Sequence, residues 1–377
     1  MKLMRVLHVH SGNLYGGVET LLLTLARYRD LCPAMEPEFA LCFEGRLSEE
    51  LNAVGARIHL LGKVRIRHPL SVWRSRGVLK GVLQQQKIDV VICHSAWPQA
   101  IFGPVVRRAH LPLVFWLHNA VNDHHWLQLW ARMAPPDLAL CCSRFTQRTL
   151  PKMYPKVSSQ LIRCPISEIR PHASDTERRA TRAELSAPMQ ATAIAQASRM
   201  EVWKGHGLLL QALGMLKDMP SWVAWIAGGA QRPQELSYLN SLKKAAATLG
   251  IEDRVMFLGQ RSDVPRILAA ADIHCQPNTG AEPFGITFIE ALYAGIPVVT
   301  TAMGGAQEIV DDSCGILVPP NDPQALAASL RQLIQDSVLR RRLGAAGPAR
   351  ARHLCNPAAQ LQKLHRALGS VYGDGEH

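Results

Sequence analysis

The sequence predicts an α/β protein made of two doubly wound parallel-sheet domains facing a central cleft. Two observations carry that expectation. Short β-branched runs alternate with longer amphipathic stretches along almost the whole chain, and the alternation lapses once, near the middle. A chain of 377 residues that is 47% hydrophobic has the length and apolar content for two cores.

In chain order, strands are expected at residues 5–9, 39–43, 57–60, 89–93, 113–117, 138–141 and 160–163. The rhythm then fades through Pro165-Ile166-Ser167 and a polar stretch at 174–188, which places a linker near 165–190. It resumes with strands at 192–198, 223–227, 255–258, 272–275, 297–301 and 316–318. The domains are therefore expected at 1–168 and 169–356, and a last helix within 357–377 has no strand to pair with and is expected to pack back toward the first domain. Open α/β sheets bind ligands beyond the carboxyl ends of their strands, so the functional residues are sought just after strands.

Several classes of protein are disfavoured. No apolar run approaches the roughly 18 residues needed to cross a bilayer, and the first residues lack a signal-like stretch, so a cytoplasmic protein is expected. The 9 cysteines include no Cys-x-x-Cys pair and read as reduced thiols. Of the net charge of +12, the first 168 residues carry +10.

Four places can carry chemistry. After the strand at 272–275 comes Glu282-Pro283-Phe284-Gly285-Ile286, then Glu290, Gly295 and Pro297. Pro283 keeps Glu282 on a loop, Glu290 falls inside the next helix, and Gly285 lets an anion approach the free N–H groups of that helix. After the strand at 192–198, Arg199 and Lys204 reach the same sheet edge, and Gly205 opens a helix; two cations so spaced suit a diphosphate. After the first strand, Gly16-Gly17-Val18-Glu19 opens a helix without the Gly-x-Gly-x-x-Gly pattern or a P-loop lysine. His118 ends the strand at 113–117. The pairs His8/His10 and His124/His125 have no third ligand nearby in the pattern, so no metal is expected.

Taken whole, these segments resemble the glycosyltransferases of family 4, retaining enzymes of the GT-B architecture with two Rossmann-like domains. The resemblance runs from Gly16-Gly17 through Arg199 and Lys204 to Glu282 and Glu290, and on to Gly304-Gly305-Ala306-Gln307-Glu308 and Gly315-Ile316-Leu317-Val318. It implies a nucleotide-diphosphate sugar donor, with Glu290 on the ribose hydroxyls and Glu282 on the sugar. Arg199, Lys204 and the backbone of Phe284, Gly285 and Ile286 would take the diphosphate, and Gly16 and Gly17 would close over it. His118 would lie near the sugar and the acceptor hydroxyl. No cofactor or metal is implied, in keeping with the lack of an Asp-x-Asp sequence. One departure is Pro165-Ile166-Ser167-Glu168, where many members have Asn-Gly-Val-Asp.

Between Leu51 and Ile88 there are eight basic residues, among them Arg65, Arg67, Arg74, Arg76 and Lys80, and no acidic one. With Val72, Trp73, Val78 and Leu79 they suggest a basic helix with an apolar face, suited to an anionic membrane surface or an acidic acceptor; a merely solvated face fits the same pattern. Nucleic acid is not expected, since aromatic platforms and recognised elements are missing. The reading is thus a hexosyltransferase that serves a glycan or lipid-linked acceptor of the cell envelope, peripheral at the inner face of the membrane. The alternatives are a noncatalytic binder of anionic glycan or lipid, and a GT-B nucleotide-sugar epimerase.

Overall fold

The computed structural model describes residues 3–12, 15–121, 125–166 and 174–373. Its contacts divide the chain into two compact units, Met1–Ser167 with Cys355–His377, and Glu168–Leu354.

The first unit holds strands β1 (Met4–His10), β2 (Met35–Leu41), β3 (Arg57–Leu60), β4 (Val90–His94), β5 (Leu113–Leu117), β6 (Leu138–Cys141) and β7 (Ser159–Leu161). They form one parallel sheet in the order β3-β2-β1-β4-β5-β6-β7. Between them run helices α1 (Gly17–Arg27), α2 (Arg46–Ala53), α3 (Pro69–Gln85), α4 (Ala96–Arg108), α5 (Trp126–Ala131) and α6 (Arg144–Thr149). Every residue of β4, β5 and β6 is buried, the pattern of a parallel sheet covered on both faces.

The second unit opens with α7 (Asp175–Glu184) and contains β8 (Thr192–Ala197), β9 (Trp222–Ala227), β10 (Val255–Gly259), β11 (Ile273–Gln276), β12 (Val298–Thr301) and β13 (Gly315–Val318). This sheet is also parallel, in the order β10-β9-β8-β11-β12-β13. Its helices are α8 (His206–Gly214), α9 (Pro233–Leu249), α10 (Val264–Ala270), α11 (Ile286–Tyr293), α12 (Ala306–Ile309), α13 (Pro323–Gln335) and α14 (Ser337–Cys355), and α15 (Pro357–Tyr372) closes the chain within the first unit. In each sheet the strand order reverses once, between β1 and β4 and between β8 and β11.

The expected two-sheet α/β architecture is what the chain adopts, with all thirteen expected strands present. Two local expectations are corrected. β2 begins at Met35 rather than residue 39, because Pro37 lies in a stretch that β3 does not reach: β3 pairs only from Glu38 onward, and an unpaired edge tolerates the missing N–H. The polar stretch taken for linker contains α7, which starts with a reciprocal cap, Ser174 Oγ accepting from Glu177 N at 3.2 Å while Glu177 Oε2 accepts from Ser174 N at 2.9 Å. The helix buries Arg182 completely, against Asp272 Oδ2 at 3.0 Å and the carbonyls of Ala270, Pro188 and Ala191. An arginine fills the place where an apolar residue would have signalled a core helix.

Candidate functional site

In the second unit the reversal point lies between β8 and β11, and the loops that leave their carboxyl ends are locked together. Gly205, at φ +76°, caps α8 in the left-handed region, and a Cβ there would lie 1.8 Å from the carbonyl oxygen of Pro277. Across the same seam, Thr279 N and Gly280 N donate to Trp203 O at 2.9 and 3.3 Å. This registration brings Lys204 Nζ to 2.7 Å from Glu282 Oε2 and to 4.0 Å above the Trp203 ring.

Glu282 is 7% exposed, and its Oε2 also accepts from Asn278 Nδ2 at 2.8 Å and Gln276 Nε2 at 3.3 Å. Gln276 is oriented in turn by Thr287, whose hydroxyl donates to Gln276 Oε1 at 3.3 Å. The backbone of Glu282 is held by Gly305 N, which donates to its carbonyl at 2.7 Å, and by a parallel bridge to Gly304. A Cβ on Gly304 would come within 2.4 Å of that carbonyl, so the paired glycines let two loops touch.

Arg199, by contrast, pairs with Glu201 at 3.0 Å, and Glu201 also accepts from Trp203 Nε1 at 3.1 Å. Phe284 is buried, Gly285 takes φ +100° as the residue before α11, and Ile286 is the first residue of that helix, whose start has no side-chain cap. Phe288 N donates to Gly285 O at 3.1 Å, which leaves the amides of Ile286 and Thr287 to face an anion. Glu290 lies one turn further on, partly buried. Burial pushes its carboxyl up to about 7, and among the described residues it has no hydrogen-bond or ion-pair partner.

The first unit places its candidates at the corresponding edge of its own sheet. Gly16 is the extended residue before α1 and Gly17 its first residue, while Asn13 and Leu14 of that loop lie outside the described residues. Glu19, in the first turn, is buried with His10 Nε2 2.7 Å from its Oε1. His118 follows β5, and its Nε2 lies 2.9 Å from His94 Nδ1; His94 Nε2 is likewise 2.9 Å from His8 Nδ1. Burial holds His8 and His118 down at about 3 and His94 well below the usual imidazole range, so all three are neutral near pH 7.

The basic segment is less uniform than expected. Arg65, Arg67, Arg74 and Lys80 are exposed, but Arg76 turns inward, its Nε donating to Ile101 O at 2.6 Å. Val72 and Leu79 are core residues, whereas Trp73 is 73% and Leu70 70% exposed. Spacing alone could not separate these faces, since apolar residues occupy both. Of the other segments, His124 and Ser167-Glu168 lie outside the described residues. Among the described residues no three His, Cys, Asp or Glu side chains could hold a metal ion, and no helix is long and apolar enough to cross a membrane.

Sequence reasoning missed Gln276, Asn278 and His94. A signal existed: each is polar at or just beyond the carboxyl end of a buried central strand, as in Ile273-His274-Cys275-Gln276-Pro277-Asn278.

Two parallel α/β units, each with polar residues gathered where its strand order reverses, define a doubly wound, Rossmann-like class of fold. The family model described as "Glycosyltransferase Family 4" matches residues 15–167, and that described as "Glycosyl transferases group 1" matches 177–350. The chain belongs to the family 4 glycosyltransferases, with the GT-B fold. It is 35% identical over 216 residues to a D-inositol 3-phosphate glycosyltransferase of Corynebacterium urealyticum, covering 54% of this chain and 48% of that protein. It is 36% identical over 173 residues to a phosphatidyl-myo-inositol mannosyltransferase of Mycobacterium leprae, covering 44% of each. The chain thus spans about half the length of the curated relatives it matches. Among solved structures, Anabaena Alr3699/HepE in complex with UDP and glucose superposes with a TM-score of 0.84 at 24% identity, over 97% of this chain and 100% of that one.

Proposed function

We propose that this protein is a retaining hexosyltransferase that moves a sugar from a nucleotide diphosphate to a glycan or lipid-linked acceptor of the cell envelope. The observation that carries the reading is the cluster of Lys204, Glu282, Asn278 and Gln276 at the β8/β11 reversal point, next to the uncapped start of α11. Support for the donor class comes from the UDP and glucose in the Anabaena structure, and for the acceptor class from the D-inositol 3-phosphate and phosphatidyl-myo-inositol transferases among the relatives.

In this reading Glu290 accepts from the ribose hydroxyls, while Arg199, Lys204 and the N–H groups of Phe284, Gly285 and Ile286 take the diphosphate. Gly16 and Gly17, at the start of α1, offer backbone N–H groups to an anion. Glu282 holds hydroxyls of the sugar, and His118 supplies a neutral imidazole to a hydroxyl. As the sugar–phosphate bond breaks, negative charge grows on the diphosphate, and fixed cations and helix N–H groups stabilise it without a metal. A histidine held near 3 is a poor base, so the departing phosphate oxygen is the better acceptor for the incoming hydroxyl's proton. That favours substitution on one face, with retention; a trapped glycosyl-enzyme would contradict it.

Exposed Trp73 beside Arg74 and Lys80 on α3 favours a second, compatible role, docking on an anionic membrane from the cytoplasmic side. The enzymatic reading is tested by thermal unfolding of the wild type, Glu290→Ala and Lys204→Ala with UDP, GDP, ADP and their sugars. A ligand at 100 times its Kd adds about 2.7 kcal/mol. Stabilisation of the wild type by one nucleotide and its loss in both variants supports the reading; no shift with any nucleotide overturns it.

A further inference from the structure

Three histidines of the first unit form a staircase across adjacent parallel strands. His8 of β1 sits opposite Ile92 of β4, and His94 lies two residues beyond Ile92 on the same face; His94 sits opposite Trp116 of β5, and His118 lies two residues beyond Trp116. Each step advances one strand sideways and two residues forward. The result is an unbroken line of imidazoles, His8 Nδ1 to His94 Nε2 and His94 Nδ1 to His118 Nε2, both at 2.9 Å. Aromatic faces clamp it: Phe39 stacks on His8 at 5.5 Å, and Trp116 on His94 at 5.4 Å and on His118 at 5.6 Å.

A neutral imidazole carries one N–H and one lone pair. With both links made, only two proton arrangements satisfy every bond: all three rings protonated on Nδ1, or all three on Nε2. The far end decides between them. His8 Nε2 is buried and, among the described residues, has no hydrogen-bond partner. The all-Nε2 arrangement would leave an N–H there without an acceptor, a buried orphan of the kind folded proteins avoid most strictly. The all-Nδ1 arrangement leaves only a lone pair at His8 and turns the outermost N–H to His118, which is 8% exposed while His8 and His94 are fully buried.

We propose that His94 is a positioning residue that fixes the tautomer of His118: the chain His8–His94–His118 is protonated throughout on Nδ1, and His118 presents an Nδ1–H donor. No proton is gained or lost. The assignment of tautomers rests on the geometry of the first unit alone; the use of that N–H on a sugar or acceptor hydroxyl rests on the glycosyltransferase reading. The neighbouring titratable pair, His10 with Glu19, stands edge-on to His94 at 6.3 Å between ring centres and forms no link in the chain.

The test is long-range 1H–15N correlation of the full protein labelled at histidine, at pH 7, with ring signals assigned from His8→Gln and His118→Gln. The expected spectrum has His8, His94 and His118 all in the Nδ1–H form, with N–N couplings across both hydrogen bonds. In His94→Met, where a sulfur accepts but cannot donate, the Nδ1–H form of His118 is expected to fall below half in favour of Nε2–H. An Nε2–H form at His118 in the wild type, or an unchanged Nδ1–H form in His94→Met, overturns the proposal. If His94→Met does not fold, the wild-type spectrum decides alone. Neither readout needs a donor or acceptor, so the failure of nucleotides to stabilise the protein would sink the function and leave the imidazole chain standing.

Discussion

Lys204 Nζ stands 2.7 Å from Glu282 Oε2, both side chains largely buried, and this pair joins the two loops at the centre of the second sheet. The sequence separates the residues by 78 positions. What brings them together is backbone: Gly205 against Pro277, and Trp203 O under the amides of Thr279 and Gly280.

Substitution of the two partners is expected to act in opposite directions on nucleotide binding. In the proposed donor site Lys204→Met removes a charge-assisted donor to phosphate, a loss of about tenfold or more in affinity for the nucleoside diphosphate that stabilises the wild type. In the same reading Glu282→Gln keeps the shape and releases Lys204 from a competing carboxylate, so nucleoside-diphosphate affinity holds or rises, while the extra affinity of the nucleotide sugar over its nucleotide falls. In urea unfolding, a double-mutant cycle on the pair is expected to give a coupling of about 1–3 kcal/mol. Calorimetric titration and unfolding curves of four proteins check both statements.

Gly205→Ala is expected to destabilise the second unit by about 3 kcal/mol, because the residue is at φ +76° and its Cβ would overlap the Pro277 carbonyl. Gly207→Ala, two residues on in α8 with no atom nearer than 4.0 Å, is expected to be neutral or to stabilise by about 0.5–1 kcal/mol. Loss of nucleotide binding with the first change alone, read by thermal shift, would tie the site to the seam between the loops.

Arg182→Met is expected to cost about 2–4 kcal/mol in chemical unfolding. The arginine is fully buried on Asp272, which also accepts from Ala193 N at 2.8 Å; Arg178 continues to hold Asp272 at 2.7 Å, which keeps the loss toward the low end. A cost below about 0.5 kcal/mol, the range of ordinary surface changes, would mean that α7 is not integral to the unit.

These positions show what the sequence discloses and what it hides. Strands disclose themselves because a parallel sheet buried on both faces needs continuous apolar runs, and residues 113–117 and 138–141 are read to the residue. Glu282, Lys204 and the glycines are legible as a pattern of chemistry just after strands. α7 is hidden because its buried contact is an arginine, although the Ser174 and Glu177 cap was visible. Gln276 and Asn278 are hidden because a single polar residue in an apolar strand looks the same whether it is a satisfied core group or a support for a carboxylate; only the 2.8 Å contact from Asn278 to Glu282 decides. His94 is hidden because its partners come from two other strands.

On α3 the outward face combines Trp73 with Arg74 and Lys80, while Val72 and Leu79 hold the helix to the core. Vesicles containing phosphatidylglycerol are expected to bind the protein in a salt-sensitive way, and phosphatidylcholine vesicles are not. Arg74→Gln and Lys80→Gln should each cost about 1 kcal/mol, about fivefold in partitioning, and more when combined. Arg76→Gln should weaken the fold through its lost bond to Ile101 O at 2.6 Å rather than alter partitioning. Equal binding to neutral and anionic vesicles would remove the membrane role.

The proposed ribose-binding role of Glu290 gives the donor site a pH dependence. Its carboxyl titrates at about 7 because burial disfavours the charged form, so below that pH the unliganded protein holds the proton. Ribose hydroxyls donate to a carboxylate through both oxygens but to a protonated carboxyl through fewer, so binding favours the ionised form and releases the proton. Affinity for the nucleotide-sugar donor, which has no phosphate monoester to titrate, is therefore expected to rise about tenfold from pH 6 to pH 8 and to level off above. Glu290→Gln should bind weakly and show a flat profile. The free protein supplies the sign check: a carboxyl raised in the folded state stabilises the fold fully below the ordinary glutamate range and loses that contribution as pH rises through about 7. Glu290→Gln should consequently unfold at a higher temperature than the wild type at pH 8, with the gap closing toward pH 5. A gap that widens toward low pH would place the carboxylate in a favourable rather than an uncompensated environment, and with it would fall the pH dependence of binding.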